Sequence, residues 1–160
     1  FSDQFHWSLN TTLSQNKIKN FEEVIYDYTN GFEIKTVSHN NTDISFSPSL
    51  VAGQVLTYLP KPYLSIALQS KYVGQQYLDN TSNDGRKLAP YNFSNLRFVY
   101  RPMVKFAKSV DVILQLNNIF NQTYSSNGYT YSYIYDNPIT ENFLYPQAGF
   151  HFMLGVNVKL

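Results

Sequence analysis

Residues 150–160 read FHFMLGVNVKL, and their side chains alternate strictly between an apolar row and a smaller or more polar row. Only an extended strand separates two such rows onto opposite faces. The length matches one transmembrane β-strand of about 9–11 residues. A soluble sandwich rarely leaves such an apolar row uncovered. The stretch therefore predicts the closing strand of an outer-membrane barrel, with its lipid-facing row formed by Phe150, Phe152, Leu154, Val156, Val158 and Leu160.

The composition agrees with this prediction. Aromatic residues make up 17% of the chain, with 14 Tyr and 12 Phe, whereas charged residues make up 14%, well below the ~25% of soluble domains. Tyrosine at this density is typical of interfacial girdles or of a carbohydrate-like surface. Cysteine is absent, which excludes disulfides and thiolate metal sites. Twelve basic and eleven acidic residues nearly cancel, so no nucleic-acid partner is expected.

The two-residue period recurs in five further blocks, near residues 5–13, 49–59, 64–75, 95–101 and 109–120. The facing of the block at 49–59 stays open. We therefore expect six antiparallel strands joined in chain order, with one continuous apolar band. The first and last strands should each leave one edge unpaired, because six strands cannot close a barrel. The opposite face should border a wet lumen, and its polar residues are Lys71, Arg97, Gln115, Asn117 and Asn157.

The connections alternate in length. Short turns follow at 60–62 and 102–108, whereas residues 15–43, 78–91 and 122–145 are long and polar. Barrels have short periplasmic turns and long extracellular loops, so the C-terminus is expected to be periplasmic. An ordinary β-meander with uneven loops is the alternative. Residues 17–28 fit a short loop helix or a strand extension equally well.

A row of four tyrosines lies within the last long loop. They occupy alternate positions, so in an extended chain they would share one face. Aromatic planes facing a vestibule can stack on sugars, haem or a chelate, which makes the row the best candidate for ligand contact. Alternatively, the two strands continue above the membrane and the row packs on neighbouring loops. No catalytic constellation or paired metal spacing is present, so we expect no enzyme, cofactor or metal site. The four residues are Tyr129, Tyr131, Tyr133 and Tyr135.

Nearly all of the 160 residues resemble a known family, weakly in the loops at 21–43 and 125–143, and three segments are the most specific. These segments look like the last strands of a TonB-dependent outer-membrane receptor, and their sequence and spacing are similar to those of members from Bacteroidetes. They are YVGQQYLDNT (72–81), RKLAPY (86–91) and LNNIFNQTY (116–124). The terminal strand is also similar to the signal recognised by the barrel-assembly machinery, at Gly155, Val158 and Leu160. Most members end in Phe or Trp, and Leu160 departs from that pattern.

The resemblance implies energy-coupled uptake of a scarce nutrient, such as siderophore-bound iron, haem, cobalamin or a glycan. The family's barrel has about 22 strands and is plugged. Residues 1–160 then form the C-terminal part of the barrel, as a mature, cleaved or partial chain without its plug domain and signal peptide. The implied partners are outer-membrane lipid, the remaining barrel and plug, the TonB complex and the barrel-assembly machinery. A surface lipoprotein is left open. The alternative function is a Tyr-rich β-sheet protein for surface binding or adhesion, without transport.

Overall fold

A computed structural model describes residues 2–160, and that part of the chain consists of β-strands, turns and loops. It contains no helix long and apolar enough to span a membrane. The strands are β1 (Phe5–Leu13), β2 (Lys17–Asp27), β3 (Glu33–Asp43), β4 (Leu50–Lys61), β5 (Leu64–Val73), β6 (Gln76–Tyr77), β7 (Lys87–Leu88), β8 (Tyr91–Tyr100), β9 (Ser109–Asn117), β10 (Ser125–Tyr135), β11 (Asn137–Pro146) and β12 (His151–Lys159).

The main sheet has six strands in the order β1-β4-β5-β8-β9-β12. Each of its pairings is antiparallel. These are the six strands that the sequence predicts, and they pair in chain order, so the predicted meander is confirmed for this sheet. Period-two alternation was sufficient because one face of each strand is almost purely apolar.

One apolar row crosses all six strands of the main sheet. Residues directly opposite each other on neighbouring strands share a face, so the pairing register carries the row from strand to strand. Leu56 and Tyr58 lie on this apolar face and Val55 lies on the other, which settles the facing of the block at 49–59. The predicted continuous band is therefore present, and its central row runs through Trp7, Leu56, Leu68, Leu96, Leu116 and Phe152.

The apolar face is uncovered. Phe152 and Leu154 are 67% and 69% exposed, although a sheet in water normally buries its apolar face under a second layer. Only a few apolar side chains of residues 2–160 are buried. Three of them lie within 73–88, at the end of the main sheet from which the long connections leave. Packing in this chain is therefore concentrated in a connection and not beneath the sheet. The buried set is Val73, Leu78, Leu88, Val99 and Val110.

Both outer edges of the main sheet are open. Within the described residues, β1 pairs only with β4 and β12 pairs only with β9. The prediction of two unpaired edges is confirmed, and residues 2–160 form no closed barrel.

Two of the predicted polar loops are strands instead. The β1–β4 hairpin continues as β2–β3, and the β9–β12 hairpin continues as β10–β11. The loop prediction for 15–43 and 122–145 is thus wrong, whereas two alternatives are confirmed: a strand extension over 17–28, and continuation of the last hairpin's strands within 122–145. The helical alternative for 17–28 is wrong. Pairing with β3 outweighs the helical spacing of apolar residues in β2, as tertiary context commonly does. The β10–β11 turn is tight, with Asp136 at φ 58°.

The two extended hairpins meet in a second sheet of order β11-β10-β2-β3. Here β2 and β10 pair in parallel, at Tyr26 with Tyr133 and at Asp27 with Ile134. The prediction of a wholly antiparallel fold is wrong at this junction. The reason is geometric, because β2 and β10 continue β1 and β9, which run in the same direction in the main sheet.

Candidate functional site

The four predicted tyrosines lie together on one side of β10, at alternate positions. Tyr129, Tyr131 and Tyr135 are 48%, 43% and 59% exposed. The row therefore offers aromatic surface at the end of the molecule where the extended hairpins project. Its role in ligand contact stays a prediction.

The tyrosine row also packs on its neighbours. Tyr131 and Tyr133 lie 5.6 Å apart between ring centroids, and Tyr133 meets Tyr28 of the other hairpin edge-on at 6.4 Å. A hydrogen bond to Tyr131 raises the pKa of Tyr28, with burial adding to the effect. Tyr129 stacks on Phe143 at 4.8 Å. The row thus joins the two hairpins and leaves its remaining ring faces available.

Polar contacts fix the junction between the hairpins. The amide of Tyr28 donates to the carbonyl of Ile134 at 2.9 Å, and the amide of Asp136 donates to the Thr29 hydroxyl at 2.9 Å. Asp27 accepts hydrogen bonds from Lys35 and from the Thr29 amide, the latter at 2.9 Å. These bonds lower the pKa of Asp27 to about 2. The junction therefore contains an ionised carboxylate at neutral pH.

A buried ion network holds the connection between β5 and β8 against the extended hairpin. Arg86 is 6% exposed, and its Nη1 contacts carboxylate oxygens of Glu23 on β2 and of Asp79, the latter at 2.9 Å. The second oxygen of Glu23 lies 2.9 Å from Nε2 of His39 on β3. Burial by itself lowers the pKa of Arg86, but the two carboxylates outweigh it and the pKa is raised. The Arg86 guanidinium thus ties the connection to β2, and Glu23 extends the network to His39 on β3.

The same connection is folded by its own polar residues. Asp79 accepts from the amide and the hydroxyl of Thr81, at 3.0 and 2.6 Å. The Arg86 amide donates to the Asn83 carbonyl at 2.9 Å, and Leu88 beside it is 1% exposed. The sequence marked this segment only through its resemblance to a family. The other available signal was Arg86 itself, because an arginine that becomes buried needs a carboxylate partner.

The five polar residues predicted to face a lumen all lie on the face opposite the apolar row. Arg97 stands opposite Gln115, and Asn157 stands opposite Asp111. Gln115 donates to the Asn117 side-chain oxygen at 2.9 Å. Within residues 2–160, neither Lys71 nor Arg97 forms an ion pair. That this face borders a lumen stays a prediction.

The three residues of the assembly signal lie at the end of the chain. Gly155 and Val158 pair with Ile113 and Val110 on β9. Leu160 is 82% exposed. Their recognition by the barrel-assembly machinery stays a prediction.

An aromatic cleft that sequence reasoning missed lies where β8 begins. Tyr124 stacks on Tyr91 at 4.6 Å and on Phe93 at 5.5 Å. Tyr91 and Tyr124 line a cavity of about 330 Å³, together with Leu88, Pro90 and Leu144. Tyr124 lies outside any alternating block, so the sequence marked it and Tyr91 only as the ends of LNNIFNQTY and RKLAPY, two of the segments that resemble a family. No cluster of three or more metal-ligating side chains occurs among residues 2–160.

No protein-family model matches this chain, and no curated protein matches it significantly. Among solved structures, it is similar to the siderophore receptor PiuA from Acinetobacter baumannii, with 19% identity and a TM-score of 0.68. The match covers 98% of this chain and 20% of that one, so the chain spans about a fifth of the length of the receptor it matches. The fold is therefore like part of an outer-membrane receptor.

Proposed function

We propose that this chain is the C-terminal barrel segment of a TonB-dependent outer-membrane receptor. Its role is energy-coupled uptake of a scarce nutrient, such as siderophore-bound iron, haem, cobalamin or a glycan. The observation that carries the proposal is the uncovered apolar face, which stays in register across all six strands of the main sheet. The similarity to a siderophore receptor supports the same fold.

The physical reason is the cost of leaving that face in water. Phe152, Leu154 and Val156 on β12 are each more than half exposed, and burial of such side chains contributes about 1.5–3 kcal/mol each. Lipid removes this surface from water without a second protein layer. The four inner strands pair on both sides, as a membrane-spanning structure requires, and the open edges of β1 and β12 would be paired by the rest of the barrel.

The polar face and the hairpin tips take complementary roles in this proposal. Lys71 and Arg97 would border the water-filled interior, where the rest of the barrel and a plug domain complete the enclosure. The row from Tyr129 to Tyr135 would contact the nutrient on the extracellular side, through ring faces not used in packing. The TonB complex would act through sequence outside residues 1–160, and the barrel-assembly machinery would recognise the terminal strand.

The single tryptophan gives a direct test. Trp7 lies on the apolar face, in the row with Leu56, and is 50% exposed. We expect brominated lipid acyl chains to quench its fluorescence once the chain is folded into vesicles. The matched control combines Trp7→Phe with Thr57→Trp, which moves the reporter to the opposite face. Equal quenching of the two proteins would contradict the proposal.

A Tyr-rich β-sheet protein for surface binding or adhesion is the second candidate. The aromatic exposure of the hairpin tips favours it, since Tyr129, Tyr131 and Tyr135 stay accessible. Detergent dependence separates the two functions. A monomer that folds cooperatively in plain buffer supports adhesion and rejects the barrel segment, whereas folding only in detergent or vesicles supports the receptor.

A further inference from the structure

Charge is segregated along the strand direction. The short-turn end comprises residues 2–4, 61–63, 101–111 and 157–159, and it carries more basic than acidic residues. The hairpin end comprises residues 14–49, 74–90 and 118–150, and there acidic residues outnumber basic ones. The basic residues of the short-turn end are Lys61, Arg101, Lys105, Lys108 and Lys159, against Asp3 and Asp111.

Backbone hydrogen bonds hold the short-turn segments side by side. The Leu59 amide donates to the Gln4 carbonyl, and the Arg101 amide donates to the Tyr63 carbonyl, both at 2.8 Å. The Lys108 amide donates to the Lys159 carbonyl, also at 2.8 Å. The cations therefore line one rim of the main sheet and do not converge on a single pocket.

Most of these cations have no acidic partner. Arg101 pairs with Asp111 at 3.1 Å. The four lysines of this end form no ion pair within residues 2–160, so their ammonium groups can meet anions from outside. Those lysines are Lys61, Lys105, Lys108 and Lys159.

The longer turn of this end also exposes large apolar side chains. Met103 is 99% exposed and Phe106 is 74% exposed, and both lie close in sequence to Lys105 and Lys108. At the adjacent rim of the apolar face, Tyr63 and Tyr100 pack edge-on at 6.0 Å. Aromatic rings beside lysines are characteristic of the border between acyl chains and head groups.

We propose that the short-turn end binds the phosphate head groups of anionic phospholipids, with Met103 and Phe106 inserted at the acyl boundary. This inference rests on the proposed function, because the apolar face must lie in a bilayer for the rim to reach one leaflet. Lysines spread along a rim match a layer of head groups better than one compact anion. Each basic residue near an anionic surface strengthens partitioning about fivefold.

The test folds the full chain into vesicles of phosphatidylcholine alone or with about 30% phosphatidylglycerol, a content that gives an anionic surface. Insertion is followed by Trp7 fluorescence, and partitioning by sedimentation at low salt. The double variant Lys105→Gln/Lys108→Gln should bind the anionic vesicles about 25-fold more weakly, with little change on neutral ones. Met103→Ser/Phe106→Ser should weaken binding to both kinds of vesicle.

The matched control is Lys19→Gln/Lys87→Gln, which removes two lysines from the acidic hairpin end and should leave the anionic preference intact. Equal insertion of the chain into both kinds of vesicle would overturn the inference and leave the proposed function standing. The same holds if Lys19→Gln/Lys87→Gln abolishes the preference for anionic vesicles as strongly as Lys105→Gln/Lys108→Gln does. A chain that inserts into neither overturns the proposed function, and the inference with it.

Discussion

Arg86 and Glu23 lie 63 residues apart in the chain and form an ion pair between a buried guanidinium and a partly buried carboxylate. Their side chains are 8% and 14% exposed. The pair joins the connection between β5 and β8 to the extended hairpin β2–β3, and Asp79 shares the same guanidinium. Arg86 therefore helps to hold the hairpin over the end of the main sheet, together with hydrogen bonds between Ser82 and Asp43 at the end of β3.

Replacing Arg86 with methionine should strongly destabilise the hairpin end. The change roughly keeps side-chain volume but leaves Asp79 without its cation and Glu23 with His39 alone. Breaking a fully buried pair costs about 3–5 kcal/mol, and the cost here should be smaller because both carboxylates are partly exposed. Urea unfolding of the chain folded in detergent measures the loss. Lys87→Met is the control, because Lys87 pairs with the 83% exposed Asp84 and should change stability by less than about 0.5 kcal/mol. Similar effects of the two variants would show that the ion network contributes nothing special.

The junction between the hairpins should loosen in acid. Hydrogen bonds from Lys35 and Thr29 lower the pKa of Asp27 from 3.8 to about 2. A carboxyl whose pKa is depressed on folding stabilises the fold above its unfolded pKa, and that contribution disappears as pH falls through the folded pKa. Hydrogen exchange of the Tyr28 and Asp136 amides should therefore accelerate between pH 4 and pH 2, beyond the intrinsic change. In Asp27→Asn this acid dependence should vanish, and its persistence would point to another group.

The two faces of β12 should differ in their tolerance of charge. Leu154→Arg should cost about 2–4 kcal/mol if the residue lies near the bilayer midplane. Asn157→Arg should be tolerated, because Asn157 lies on the opposite face, across from Asp111. Folding titrations in vesicles compare the two variants. Equal tolerance of arginine at both positions would show that the inside and the outside have been assigned wrongly.

Gly128 should resist substitution by alanine. A Cβ atom there would lie 2.6 Å from the carbonyl oxygen of Phe143 on the partner strand, so β10 and β11 would have to separate. Overpacking of this kind costs about 1–3 kcal/mol, and the ring stack of Tyr129 on Phe143 should loosen. The near-ultraviolet circular dichroism of the tyrosines and urea unfolding report both effects. Gly155→Ala serves as the comparison, since nothing lies within 4 Å of its added Cβ, and it should fold unchanged.

The main sheet was predictable, whereas the strands of the second sheet could be expected only as alternatives and their pairing not at all. A strand such as β12 has one apolar face, so its period of two is visible in the sequence. β3 (Glu33–Asp43) has a single apolar residue on each face, Ile34 and Val37, so its sequence shows no such alternation. The alternate spacing of the tyrosines in β10 is visible in the sequence, but their contact with Tyr28 depends on how two hairpins distant in the chain pack against each other. The pair between Arg86 and Glu23 is set by the same long-range geometry.

The directions of the two edge strands limit how many further strands could close the main sheet into a barrel. β1 and β12 occupy the first and last places in an alternating row of six strands, so they run in opposite directions. A ring of antiparallel strands can close through these edges only if each new neighbour also alternates. A barrel that closes through these edges with antiparallel pairs alone would therefore need an even number of further strands, in agreement with the even totals of bacterial single-chain barrels. An odd contribution would force one parallel seam into the wall.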